Sequence, residues 1–455
     1  MFNKIYLTII LSCIYIVNNN VLEVPLKFIH INGVSKYKNI KIKSTDNSKN
    51  KTLNNKKIFI HNGKAEINSD FLFLANVKIG PNEQEFNLVL DTGSSLLWVQ
   101  RNGTFGNNTI KHYYIPFFNS TSKNLSEYYE IIYGTGSSKG YYFTDNFKYI
   151  NDKEFNVKFG VAEETNFEVE NGDGIIGLAH YYKDEQLSFI HMLKKYGVTD
   201  SINFSFKFDL DNGYDGKLFI GNHKDFSSDD TVTCPLLNFL YEEARIFWGC
   251  EVSGFSIKNA DNEIKSSRSY NMIFDTGTNM VILPKNYFYD IKSKLNKFGC
   301  IPYSEENDEN GENDIQIKCN DINNLPEFRF QINGNTLGIP YYIGFYSIIG
   351  DNNNYYSNII FSDSTFPIIG VPFFLTFHTL FDKNKEKLHF YPEFSDTIEK
   401  DSNSSLIIIL IIFTIIIGLI LGYLIYRYIA RRRMQNNIDS VFPSSNYNDN
   451  YNRLL

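Results

Sequence analysis

The chain has 455 residues, is 43% hydrophobic and 16% aromatic, and carries a formal net charge of −7. This length exceeds one ordinary core and predicts two lobes or domains. The apolar share excludes general disorder, and the acidic balance argues against nucleic-acid binding by the whole chain. Taken in order, residues 1–20 read as a signal peptide, with Lys4 ahead of the apolar stretch Ile5 to Val17. Residues 21–66 follow with ten lysines against Glu23, Asp46 and Glu66. A basic segment ahead of an acidic body is the pattern of an intramolecular inhibitor, whose lysines cover a carboxylate site at neutral pH and release it when the acids protonate. The alternative is a solvated linker.

From Phe71 onward the pattern is β-rich. Strands are predicted at Phe71–Ile79, Phe86–Leu90, Tyr128–Tyr133, Phe155–Val161, Ile202–Phe208 and Lys217–Ile220, separated by Gly, Asn and Asp. Helical patterns are few in this region; Glu185–Tyr196 and Lys285–Phe298 are the best candidates, with Gly197 and Gly299 as candidate stops. Inside this frame lies Leu88-Val89-Leu90-Asp91-Thr92-Gly93-Ser94-Ser95-Leu96-Leu97-Trp98. The pattern returns 184 residues on as Met272-Ile273-Phe274-Asp275-Thr276-Gly277-Thr278-Asn279. A lone Asp-Thr-Gly is ordinarily just a turn. Two copies at domain-scale spacing, each behind an apolar run, predict two lobes that each present one carboxylate to a shared cleft. An acid at the mouth of an apolar run is costly unless it is paired or used, and glycine lets the backbone turn closely beside it. Tyr128 to Ser138 reads as a long hairpin with Gly134-Thr135-Gly136 at its tip and Tyr133 at its shoulder, a candidate lid. A second repeated pair, Asp173-Gly-Ile-Ile-Gly177-Leu-Ala179 and Phe366-Pro-Ile-Ile-Gly370-Val-Pro372, follows each acid turn. The internal duplication therefore extends beyond the acids, and each of these strands is expected to pack behind its acid turn.

With these motifs in place the sequence resembles the pepsin family of aspartic proteases, over roughly Phe71 to Phe394. Its abundant Asn and Lys and few cysteines are similar to the plasmepsins of apicomplexan parasites. The resemblance implies a mostly β, bilobal pepsin-like aspartic protease fold, with an N-terminal lobe over 67–235 and a C-terminal lobe over 236–400. It also implies endopeptidase activity on proteins or peptides without metal or cofactor. By the family's pattern Asp91 and Asp275 are the catalytic pair. Thr92 and Thr276 brace the two turns against each other, Gly93 and Gly277 shape them, and Ser94 and Thr278 hydrogen-bond the outer carboxylate oxygens. Tyr133, Gly134, Thr135 and Gly136 form the flap, with Trp98 supporting Tyr133. Val89 and Phe167 join the substrate-binding set. The basic segment 21–66 then corresponds to a pro-segment that inhibits its own enzyme and leaves on activation. Two departures carry expectations. Many family members have Asp where Val371 stands, so loss of a carboxylate near Asp275 implies an optimum less acidic than pepsin's. The acidic stretch Glu168-Val-Glu-Asn-Gly172 stands where an aromatic often lines a specificity pocket, which implies a basic or polar substrate side chain there. A non-catalytic peptide-binding protein on the same fold would show lesions in the acids, flap or bracing threonines, and none is present.

Cys13 falls in the signal. The remaining four cysteines, an even number in a secreted chain, predict two disulfides; local pairing gives Cys234–Cys250 across neighbouring strands and Cys300–Cys319 around an acidic loop. No CxxC or histidine cluster suggests a metal. Asn102, Asn107, Asn119, Asn124 and Asn403 head glycosylation sequons. Residues 406–426 carry no charge and are mostly Ile and Leu, long enough to cross a bilayer. Arg427 and Arg431-Arg432-Arg433 follow at once, which argues against a removed anchor signal and places the tail 427–455 in the cytosol. This predicts a single-pass type I protein whose protease body faces a secretory lumen or the exterior. Gly418 and Gly422 form a GxxxG pattern, a weak signal for dimerisation in the bilayer.

Overall fold

The computed structural model describes most of residues 71–392, apart from 106–111, 118–119, 135, 150–152, 167–171, 180–187, 210–214, 222–230, 238–246, 305–313, 347–353 and 364–365. It also describes the segments 22–30, 60–61, 64–65, 398–400, 421–423 and 425–429. The chain forms two compact units, 1–399 and 400–455.

The period-two runs of the first unit become strands. Phe71–Ile79 forms as predicted, and Gln84–Asp91 extends the second predicted strand through the first acid. Among the described residues the largest sheet has thirteen strands. One end is made by the long strands Lys123–Tyr133, Gly136–Tyr149 and Lys153–Thr165; the other by Val232–Pro235, Lys387–Pro392 and Phe377–Asp382. Sequence-distant strands meet in the middle, where Phe204–Asp209 pairs antiparallel with Phe377–Asp382 in the register Phe204↔Phe381. Two five-stranded sheets and one of four strands complete the C-terminal half.

The division expected at 235/236 therefore does not separate two independent cores. The last strands of the chain return to the sheet of the first half, and side chains from both halves share one apolar interior. Phe204 stacks on Phe381 with ring centroids 4.7 Å apart, and Trp248 meets both edge-on at 5.6 and 5.1 Å. Such contacts add to an already large area burial.

The basic segment contributes a strand. Leu22–His30 lies between Asp215–Ile220 and Phe71–Ile79, pairing antiparallel with both (Leu22↔Ile220, Leu26↔Ala75). These nine residues are thus built into the sheet; most of the segment's lysines lie outside the described residues. Both predicted helices are present; the first is shorter than expected among the described residues, and the second is helical over its whole predicted range. Phe189–Lys195 is α-helical, Lys285–Ile291 continues into a 3₁₀ turn over Lys292–Phe298, and Gly197 and Gly299 follow at φ 67°. Only glycine adopts that conformation freely, which is why the helices stop there.

Cys300–Cys319 joins directly paired residues of two antiparallel strands, with Cα atoms 4.1 Å apart. Cys234–Cys250 also forms, with Cα atoms 6.1 Å apart. Its two strands, Val232–Pro235 and Gly249–Val252, belong to different sheets and are not ladder neighbours. The bond therefore ties sheet to sheet. In the second unit, no helix among the described residues is long and apolar enough to cross a membrane. Most of the span expected at 406–426 lies outside the described residues, and the signal 1–20, Thr135, Phe167 and the acidic run 168–171 lie wholly outside them.

Phe381→Ala empties the centre of the shared stack. It is expected to lower unfolding free energy by about 3–5 kcal/mol, measured by equilibrium urea denaturation of the full chain.

Candidate active site

Each acid sits where a buried strand runs out. Leu88, Val89 and Leu90 precede Asp91, Met272, Ile273 and Phe274 precede Asp275, and all six are nearly inaccessible. Thr-Gly then turns the chain in both copies. The Gly93 N–H donates to Asp91 Oδ1 at 2.8 Å, and the Gly277 N–H to Asp275 Oδ1 at the same distance. The Ser94 hydroxyl donates to Asp91 Oδ2, and the Thr278 hydroxyl to Asp275 Oδ2 at 2.6 Å.

The two turns face each other closely. A Cβ placed on Gly93 would stand 2.7 Å from the Asp275 Cγ, and one on Gly277 would stand 2.4 Å from Asp91 Oδ1. Glycine is required at both positions because the opposite carboxyl occupies the space a side chain would need. Burial first, then the charge of Asp275, holds the Asp91 carboxyl well above its usual range. Two like charges in this setting cannot both form cheaply, so the pair retains a proton.

The threonines lock the turns beneath the carboxyls. The Thr92 hydroxyl donates to the Phe274 carbonyl at 2.9 Å, and the Thr276 hydroxyl donates to the Leu90 carbonyl at 2.7 Å. The Thr276 N–H donates to Thr92 Oγ1 at 2.9 Å, and the Thr92 N–H to Thr276 Oγ1 at 3.1 Å. All four bonds are buried and link residues more than 180 positions apart. Behind the turns lie the second repeated pair. Gly174–Gly177 runs parallel to Gln84–Asp91 with Gly177 opposite Asp91, and Ile368–Ile369 runs parallel to Tyr270–Phe274. A Cβ on Gly370 would meet the Met280 carbonyl oxygen at 2.0 Å, which explains the glycine that ends the second copy. Val371, one residue on, is buried in the apolar core, and its N–H donates to the Thr278 carbonyl at 2.9 Å.

The hairpin closes with Tyr133 opposite Gly136. The Trp98 indole donates to the Tyr133 hydroxyl at 2.7 Å. The phenol also lies in hydrogen-bonding range of Ser94, and burial, then the Asp91 charge, pushes its pKa well above 10. It therefore remains a neutral phenol beside the acids. Val89 is not in the open; it packs with Leu74, Leu96, Trp98, Tyr129 and Ile175 in a small core beneath the flap. Gly134 is at the exposed tip.

Three features had no role assigned from the sequence. Tyr129 and Ser138 join hydroxyls at 3.0 Å under the flap. The carboxylate of Asp173, ahead of the strand that backs Asp91, accepts the Asn87 N–H at 2.7 Å and lies 3.0 Å from His112 Nδ1. The Trp248 indole donates to the Leu178 carbonyl at 2.9 Å. Only two tryptophans occur in the chain; that rarity, and the buried strand following Trp248, was the available signal.

A model of the eukaryotic aspartyl protease family matches residues 72–392. The chain belongs to this family. It is similar to gastricsin of Oryctolagus cuniculus, 28% identical over 273 residues, which are 58% of this chain and 66% of that protein. Gastricsin of Homo sapiens is 27% identical over 282 residues, 60% of this chain and 68% of the relative. Chymosin of Camelus dromedarius is 27% identical over 272 residues, 58% of this chain and 66% of the relative. The chain thus spans just under two thirds of the first of these relatives. Among solved structures, the aspartic proteinase from Irpex lacteus matches with a TM-score of 0.52 and 18% identity, over 70% of this chain and 94% of that one. This last is a likeness of fold.

Two outcomes follow from the geometry. Thr92→Val leaves the Thr276 N–H and Phe274 carbonyl unpaired in a buried position and is expected to cost about 2–4 kcal/mol, read by chemical unfolding. The raised Asp91 value sets a direction in pH. The folded state holds this proton more tightly than the unfolded chain, so the stabilisation is full below the ordinary Asp value and is lost as pH rises through the raised folded value. Asp91→Asn removes that dependence. Its unfolding midpoint is expected to gain on the wild type as pH rises from about 4 toward neutrality, measured by calorimetry at each pH.

Proposed function

We propose that Asp91 and Asp275 are the catalytic pair of a membrane-anchored protease made as a zymogen in the secretory pathway. The observation that carries the catalytic assignment is the confrontation of two buried carboxyls, each packed on the other's turn glycine. In this reading the ionised partner accepts a proton from a water bound between them. That water attacks the scissile carbonyl while the protonated partner donates to the carbonyl oxygen. No acyl-enzyme forms, and no metal or cofactor takes part. Ser94 and Thr278 orient the outer oxygens, Thr92 and Thr276 preserve the separation, and Tyr133 with Gly134, Thr135 and Gly136 covers the substrate with Trp98 as its support.

Proteins are the substrates. Val371 supports an optimum less acidic than pepsin's, and Glu168 and Glu170 support a basic or polar side chain at one cleft position. The uncharged run 406–426 followed by arginines supports a type I anchor with a cytosolic tail. The secreted type of the relatives and the two disulfides support a lumenal or extracellular body. Residues 21–66 remain the candidate pro-segment; on this reading activation must also withdraw Leu22–His30 from between its two neighbours. The composition keeps plasmepsins among the resembling groups.

The test is cleavage of a mixed peptide library by the full chain from about pH 3 to 8, a range that brackets the ordinary carboxylate values. Asp91→Asn and Asp275→Asn are each expected to lower kcat/KM at least about 10³-fold, by loss of the acid–base pair. Pepstatin is expected to block the wild type. Wild-type activity surviving in either variant overturns the assignment, and a sharp maximum below about pH 4 overturns the Val371 argument.

A further inference from the structure

Four hydrogen bonds make a closed circuit through the backbone of both acid turns. The Leu178 N–H donates to the Asp91 carbonyl at 2.7 Å, and the Trp248 indole donates to the Leu178 carbonyl at 2.9 Å. The Phe274 N–H donates to the Trp248 carbonyl at 2.8 Å, and the Thr92 hydroxyl donates to the Phe274 carbonyl at 2.9 Å. Thr92 is joined to Asp91 by a peptide bond, which closes the ring, and Phe274 is joined to Asp275. Trp248 thus bonds at one end to the strand behind Asp91 and at the other to the strand leading into Asp275.

We propose that Trp248 is a positioning residue for proteolysis, its indole N–H setting the spacing of Asp91 and Asp275 by tying the backing strand of one acid to the leading strand of the other. The proposal rests on the catalytic reading of the two acids. It is built from contacts that leave the indole little freedom. Trp248 is 1% exposed and meets the stacked pair Phe204 and Phe381 edge-on, at 5.6 and 5.1 Å between ring centroids. The strand Gly249–Val252 that follows it pairs with Tyr270–Phe274 in the register Gly249↔Ile273. Cys250 in that strand is bonded to Cys234, so the strand is also held to the large sheet. Any large ring would fill the space beside the two stacked phenylalanines. Only a ring with a donor at this edge also captures the Leu178 carbonyl, whose own N–H holds the Asp91 carbonyl. The circuit complements the threonine brace: the threonines join the turns directly, and the indole joins one turn to the strand that buttresses the other. A misplacement of about 1 Å at a reacting centre can cost on the order of 10²-fold in rate, so a single fixed donor at this point has leverage on the chemistry.

The experiment compares the full-length wild type with Trp248→Phe, which keeps an aromatic ring and removes the donor. A second form carries the benzothiophene analogue of tryptophan at the same position, isosteric but without the N–H, and serves where the phenylalanine form folds poorly. Steady-state kinetics on one peptide substrate are measured across pH. The expected result is a kcat lower by about tenfold, equivalent to about 1.4 kcal/mol of barrier, with KM within about twofold. The two apparent pKa values of the kcat/KM profile are expected to move toward each other, because carboxyls held less closely interact less. A merely structural tryptophan would lower the unfolding midpoint and leave the profile in place. Either folded form retaining wild-type kcat and both apparent pKa values overturns the proposal. Loss of Asp91-dependent cleavage in the wild type itself would instead overturn the catalytic reading beneath it.

Discussion

Two carboxyl groups facing each other out of water repel once both ionise, and the surrounding structure is arranged to keep them together. Separation would relieve the repulsion, so the site needs restraints that do not depend on the charge of the acids. The Thr92 and Thr276 bonds provide them, with neutral partners in a buried position, where the low local dielectric strengthens each bond and makes an unpaired group costly. The carboxyls then receive hydrogen bonds on both oxygens from the Gly93 and Gly277 amides and from Ser94 and Thr278. These donors favour the charged form, while burial and the opposing acid disfavour it, and at Asp91 the latter pair prevails.

The same constraint explains the glycines and the strand order. Gly93 and Gly277 make room for the opposite carboxyl, and Gly370 makes room for the carbonyl of Met280. The parallel pairing of Gly174–Gly177 with Gln84–Asp91 places a rigid strand behind the first acid, and Ile368–Ile369 does so behind the second. The return of Phe377–Asp382 to the sheet of the first half then joins the two copies into one core. Because that core is continuous through Phe204, Phe381 and Trp248, the relative placement of the acids is tied to the bulk of the fold.

The flap is held by a different kind of contact. Tyr133 accepts a hydrogen bond from Trp98, lies within range of Ser94 and rests on a small separate apolar cluster. Its outer face is exposed, with Tyr128 and Ile132 open to solvent. Elements with few buried contacts are those that open at low cost, which suits a lid above a rigid pair of acids.

Much of this was legible in residue order. Two Asp-Thr-Gly turns behind apolar runs, the hairpin around Tyr133 and the two apolar-apolar-Gly strands are local patterns, set by strand period, turn chemistry and the cost of an acid beside an apolar run. Local pairing of the cysteines also followed from their spacing. The tertiary structure decided what depends on contacts between distant positions: that Leu22–His30 is an interior strand, that Val89 lies under the flap, that Cys234–Cys250 joins two sheets, and that one core runs through both halves. Trp248 belongs to this second group. Its rarity and the apolar strand after it draw attention to it, but its part in the acid site is not legible there, because Leu178 and Phe274 come to it only when the sheets assemble.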